Sequence, residues 1–132
     1  MFLAMIFIHI FIMPWIMIAK PSDFRISVTQ VYAAIFMGTC MVIAEAFIHP
    51  LSISGWLLCT ALLAASTYCL RNQFFVSDTE YLHDMIPHHS MAVLTSVPRA
   101  QRTRNSMLRE LAQSIVKTQE QEITLMKSLA MY

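Results

Sequence analysis

Residues 26–70 read ISVTQVYAAIFMGTCMVIAEAFIHPLSISGWLLCTALLAASTYCL, and Glu45 is the one formally charged side chain in the whole stretch. A helix rises about 1.5 Å per residue, so a bilayer core about 30 Å thick takes about 20 apolar residues to cross. The break His49-Pro50-Leu51-Ser52 divides the run into two lengths of that order, 26–48 and 53–70, because proline keeps the residue before it out of helix. Upstream, no side chain from Met1 to Ala19 carries a formal charge, and Lys20-Pro21-Ser22-Asp23 closes a third apolar length over 2–19. That first length lacks the basic leader and small-residue cleavage site of a secretion signal, and more apolar runs follow it. It reads as a third span, kinked at Pro14.

Beyond Leu70 the composition changes. Charged residues make up 13% of the chain, against about a quarter in soluble domains, and seven of the nine Lys/Arg and six of the eight Asp/Glu lie after Leu70. The expected fold is therefore all-α: three transmembrane helices over 1–71, then a water-facing amphipathic hairpin over 72–132. Ser77-Asp78-Thr79-Glu80 predicts a reciprocal capping box, with a helix from 78 to 96. Val97-Pro98-Arg99 is the expected turn, and Thr103 or Asn105 is expected to start a second helix running to 130. Leu108, Leu111, Ala112, Ile115, Ile123, Met126 and Leu129 give that helix an apolar stripe at helical period. Gln119 and Glu122 interrupt it, and a carboxylate on such a face is costly unless it is paired or coordinating. One hairpin is a single layer and needs a second one. The sequence predicts dimerisation into a four-helix bundle, or packing against other subunits of a membrane complex.

Several functions are excluded at this stage. A formal net charge of +1 is no nucleic-acid footprint, and Arg99, Arg102, Arg104 and Arg109 read as a solvated or lipid-facing cluster. Cys40, Cys59 and Cys69 are scattered in apolar runs without a CxxC spacing, so they define no disulfide framework. There is no nucleophile and base pair, phosphate loop or cofactor fingerprint, and no turnover chemistry is expected.

The chemistry is concentrated in Tyr81-Leu82-His83-Asp84-Met85-Ile86-Pro87-His88-His89-Ser90-Met91. At about 100° per residue, Met85, His88 and His89 fall within about a third of a helix circumference, with Met91 at its border. Thioethers select Cu(I), and imidazole accepts copper, zinc or iron, so the mixture leans to reduced copper with other transition metals as alternatives. On the following helix Gln119, Glu122 and Met126 share a face. Met126 or Glu122 is placed to add a ligand or to orient a histidine ring, and Asp84 is the nearer candidate for that orienting role. In the apolar half, Met5, His9, Met13 and Met17 repeat every four residues, as do Met37, Met41, Glu45 and His49, with Cys40 beside them. Methionine also suits a lipid-facing helix. The sharper expectation is a thioether relay for Cu(I) through Met5, His9, Met13, Met37, Cys40, Met41 and Glu45.

Two competing metal chemistries have weaker motifs. A di-iron centre in a four-helix bundle wants Glu-x-x-His, and position 85 is Met where that motif puts Glu before His88. Zinc hydrolysis wants HExxH, which does not occur.

The stretch Asp78-x-x-Tyr81-x-x-x-Met85-Ile86-Pro87-His88-His89-Ser90-x-Ala92, followed by Leu111-Ala112-x-x-Ile115-x-x-x-Gln119-x-x-Glu122-Ile123-x-x-Met126-Lys127, resembles a bacterial family known as domain of unknown function 305. The resemblance covers about residues 78 to 129. It implies a ferritin-like hairpin, a link to copper, metal roles for Met85, His88, His89 and Met126, and support from Gln119 and Glu122. Some members carry three spans before the hairpin, including a Met37-Gly38-x-x-Met41 pattern, which implies a multi-pass protein of the bacterial inner membrane. Many members have two hairpins in tandem, and this chain has one, which strengthens the dimer expectation. Lys20 and Arg25 in the first loop, with no Lys or Arg in the second, place the hairpin in the cytoplasm by the positive-inside rule. Three-span relatives imply the opposite, and the extracytoplasmic side is the expectation.

Overall fold

Four of the helices begin in the same way, with a short polar side chain folding back onto the first turn. Ser27 accepts from the Gln30 amide at 3.1 Å, Ser52 from Gly55 at 3.2 Å, Ser77 from Glu80 at 3.3 Å and Asn105 from Leu108 at 3.1 Å. Each bond satisfies a backbone donor that the helix cannot satisfy itself. The structure, a computed structural model, describes residues 1–130, and among these it is all-helical. The helices are α1 (Phe2–Met17), α2 (Val28–Glu45), α3 (Ile53–Arg71), α4 (Asp78–Arg102) and α5 (Ser106–Leu129).

Helices α2 and α3 are long and apolar enough to cross a membrane, and α1 is not. Two of the three expected spans therefore have the full length, and the third is an apolar helix that is shorter. The sixteen residues of α1 reach about 24 Å. Its early end has a local cause: Ile18 is extended (φ −95°, ψ 148°), and the Ala19 amide donates to Ser90 Oγ in α4 at 2.8 Å instead of to a helical carbonyl.

Pro14 does not end α1, which widens into a π-helical turn over Ile8–Ile12 just before it. Proline has no N–H for the carbonyls one turn back. The Gln30 side-chain amide of α2 supplies the missing donor, reaching both the His9 and Ile10 carbonyls at 3.3 Å. Further along, α1 and α2 meet at small residues. Ala34 is fully buried, and a Cβ at Gly38 would stand 2.9 Å from the Phe2 ring. The outer faces of α1 and α3 leave Leu3, Ile16, Ile53, Leu57 and Leu58 exposed.

The hairpin differs from expectation in two places. Helix α4 runs on through Pro98 to Arg102, and the turn is Thr103–Asn105 rather than Val97-Pro98-Arg99. An internal proline removes one backbone bond, to Leu94, and that residue is exposed, so the freed carbonyl is not trapped in the core. The capping box forms only in its Ser77 half. Glu80 reaches away instead, and its Oε2 accepts from the Val28 amide at 2.8 Å, placing a carboxylate at the N-terminus of α2.

That contact is one of several that dock the hairpin on the loop between α1 and α2. Asp23, 1% exposed, accepts from Ser90 Oγ at 2.6 Å and from Lys127, which also donates to Ser22. Burial pushes the Asp23 carboxyl up, but hydrogen bonds from Lys127, Ser90 and Ser22 and the Lys127 charge outweigh it and hold the group below its ordinary range. Lys20 pairs with Glu120 at 2.8 Å on the surface. The hydrogen bond and charge of Glu120 raise the Lys20 pKa. The hairpin core of Ile86, Val93, Ile123 and Met126 takes in Ala19 from the same loop. The first loop and the hairpin therefore lie on one side of the apolar helices.

Candidate metal site

Successive residues on a helix point about 100° apart, and α4 is held between α5 on one side and α1 and α2 on the other. The neighbouring histidines divide between these sides. His89, whose side chain is 17% exposed, turns to α5, where its Nδ1 lies 3.0 Å from Glu122 Oε2. His88, 62% exposed, turns toward α1 and lines a cavity with Met91. The structure thus separates the pair that spacing placed on one patch.

On the His89 side the polar group has apolar neighbours. Met126 is buried in the hairpin core, and Met85 packs against it with Leu82 and Val116. Gln119 Nε2 donates to Glu122 Oε2 at 3.2 Å and steadies the carboxylate. The His89 nitrogen is close to that same oxygen, but the direction of approach is wrong for a hydrogen bond, and the buried Nδ1 has no hydrogen-bond partner. A buried ring nitrogen left unpaired costs about 1–3 kcal/mol, and a cation or a shared proton removes that cost. The donors on hand are one imidazole, one carboxylate and two nearby thioethers. This set fits a soft transition metal better than magnesium or calcium, which want mostly oxygen.

On the other side Asp84 is engaged twice. Its Oδ1 accepts from Ser27 Oγ at 2.8 Å, and its Oδ2 stands 3.9 Å from His88 Nε2, an ion-pair distance too long for a hydrogen bond. The expected relay is divided as well. His9, Met13 and Met17 open onto the His88 cavity, while Met37 and Met41 are exposed on the outer face of α2. Cys40, Glu45 and Met5 are partly buried and do not line the cavity. Among the described residues, no three His, Cys, Asp or Glu side chains gather as a ready metal cluster.

Sequence reading missed the Asp23, Ser90 and Lys127 clamp. Asp23 had registered only as part of a helix break, and its partners lie 67 and 104 residues away. A carboxylate in a short loop carries no signal of such distant contacts.

Residues 69–130 match the family described as Domain of unknown function (DUF305), which supports the resemblance over the hairpin. The chain is 42% identical, over 62 residues, to "Uncharacterized protein L153" of Acanthamoeba polyphaga mimivirus. That alignment takes in 47% of this chain and 41% of the viral protein, so the chain spans well under half of that relative. No solved structure matches.

Proposed function

We propose that this chain is a membrane-anchored metal-binding protein that holds Cu(I) for homeostasis, storage or delivery, with its primary site on the His89 side of α4. The observation that carries the reading is the buried His89 Nδ1, unpaired and 3.0 Å from a carboxylate, beside a methionine-containing core. The His89 imidazole and the Met85 and Met126 thioethers would hold the metal. Bound there, the metal supplies positive charge to a pocket that otherwise pairs two electron-rich atoms. Glu122, steadied by Gln119, balances that charge and orients the ring.

Membrane anchorage is supported by α2, α3 and the exposed apolar surface of α1–α3. In this reading α1 completes a three-span arrangement in the bacterial inner membrane, with the hairpin on the extracytoplasmic side. Met107, Leu108, Leu111, Leu125 and Leu129 leave an apolar face on α5 exposed. A second copy of the chain covers that face, completing a ferritin-like four-helix bundle.

Metal analysis tests the proposal. Detergent-purified chain, loaded with Cu(I) without oxygen and desalted, is expected to retain copper, and His89→Ala is expected to retain less. A wild-type chain that keeps none, or a variant that keeps as much as wild type, overturns the reading.

A further inference from the structure

The cavity on the other face of α4, open on one side, has a volume of about 410 Å³ where α1 and α2 meet the hairpin. Its lining brings together His9, Met13 and Met17 of α1 with His83, His88 and Met91 of α4. Three of the five histidines in the chain therefore border one space, though not close enough together to hold a metal by themselves. None of the six is needed for the site at His89.

Three features bear on what such a cavity takes. His9 sits in the π-helical turn of α1, and such turns recur at functional sites because they re-aim side chains. That turn is kept in place by Gln30, which spends its amide on the two carbonyls facing Pro14. Thr29, whose buried Oγ1 has no hydrogen-bond partner, lines the same space, so the cavity is not a finished apolar void.

Charge narrows the occupant. Asp84 is the one carboxylate in the lining, and Ser27 already occupies one of its oxygens. Arg25 also lines the cavity, held by the Ser22 and Phe24 carbonyls at 3.1 and 2.7 Å, and its charge offsets that of Asp84, which leaves the neutral imidazoles and thioethers as the donors. One carboxylate with three imidazoles and three thioethers suits a soft monovalent cation, since hard divalent ions want several oxygens. No three histidine or carboxylate side chains cluster among the described residues, so imidazole and thioether have to act together there.

We propose that this cavity is a second Cu(I) site, separate from the one at His89 and lined by both α1 and the hairpin. The inference rests on reading the chain as a copper protein, and it adds a site that the hairpin alone does not contain. Half of its ligands come from α1.

The test uses the full chain in detergent, titrated with Cu(I) under nitrogen against a chromophoric Cu(I) chelator. Wild type is expected to bind two Cu(I) per chain. Met13→Leu/Met17→Leu/Met91→Leu, which keeps side-chain bulk, is expected to bind one, as is His89→Ala/Met126→Leu. If wild type binds one and only the His89 variant loses it, the second site is overturned while the copper function stands. If wild type binds none, both fall. X-ray absorption on copper bound to His89→Ala/Met126→Leu gives an independent measurement. Sulfur neighbours together with imidazole support the cavity site, and nitrogen and oxygen neighbours alone overturn it.

Discussion

The two faces of α4 are built to different standards of packing. Toward α5, Ile86 is fully buried and Val93 nearly so, and the mostly buried histidine on that side meets a half-exposed carboxylate beside this core. Toward α1 and α2 the contact is polar and incomplete. Ser27, Asp23 and Glu80 fasten its edges with hydrogen bonds, and between them a cavity remains. A helix pressed on one side by an apolar partner and on the other by a loop can be stable on the first face and open on the second. Adjacent histidines then acquire unlike environments.

The closed face is the place to break the fold. Ile86→Ala removes a side chain with no exposure and is expected to cost about 2–5 kcal/mol, read as a lowered thermal midpoint of the detergent-solubilised chain. An unchanged midpoint would show that α4 and α5 do not depend on this core.

Next in size is the fastening of the open face. Asp23→Ala strands Lys127 and Ser90 and is expected to cost about 2–4 kcal/mol. The Asp23 carboxyl titrates below its ordinary 3.8 in the folded chain, so its contribution is complete above that value. The contribution is lost as the pH falls from there through the lower folded value. The difference in thermal midpoint between wild type and Asp23→Ala should therefore shrink on acidification, and a difference that grows would contradict the sign.

A smaller effect sharpens the contrast between the histidines. Glu122→Gln keeps the shape of the side chain but removes the charge beside His89, and it is expected to weaken Cu(I) binding there by about 10–100-fold. Competition against a Cu(I) chelator measures this, and equal affinity would remove Glu122 from the site. The smallest effect belongs to Lys20→Ala. Its partner Glu120 and Lys20 itself are both well exposed, and exposed ion pairs contribute little. No measurable shift in thermal midpoint is expected, and a large one would mean that the surface pair, rather than Asp23, fastens the loop.

Much of the local structure was legible in order along the chain. Ser77 and Asn105 announced helix starts, the apolar lengths announced α2 and α3, and the alternation of stripe and charge announced α5. Local signals were weaker where another element intervened. Glu80 abandoned its own helix for the amide of Val28, and Ala19 left α1 to meet Ser90. Pro98 carries a local turn signal, the loss of one hydrogen bond, that the packing of the rest of α4 against α5 overrides. The candidate site was half legible. Spacing marked Met85, His88, His89, Glu122 and Met126, but it could not tell that the two histidines serve opposite sides.

The sequence by itself determined that the chain is helical, that its charges gather in the last two helices, and where methionine and histidine are dense. Helical period, capping and hydropathy depend on neighbours within a few residues, which is why they can be read along the chain. Only the tertiary structure decided that the first loop plugs into the hairpin, that His9, Met13 and Met17 come to share a cavity with His88, and that His89 is left to Glu122. Those outcomes depend on which helix lies on each side of α4, a choice made by contacts between residues dozens of positions apart.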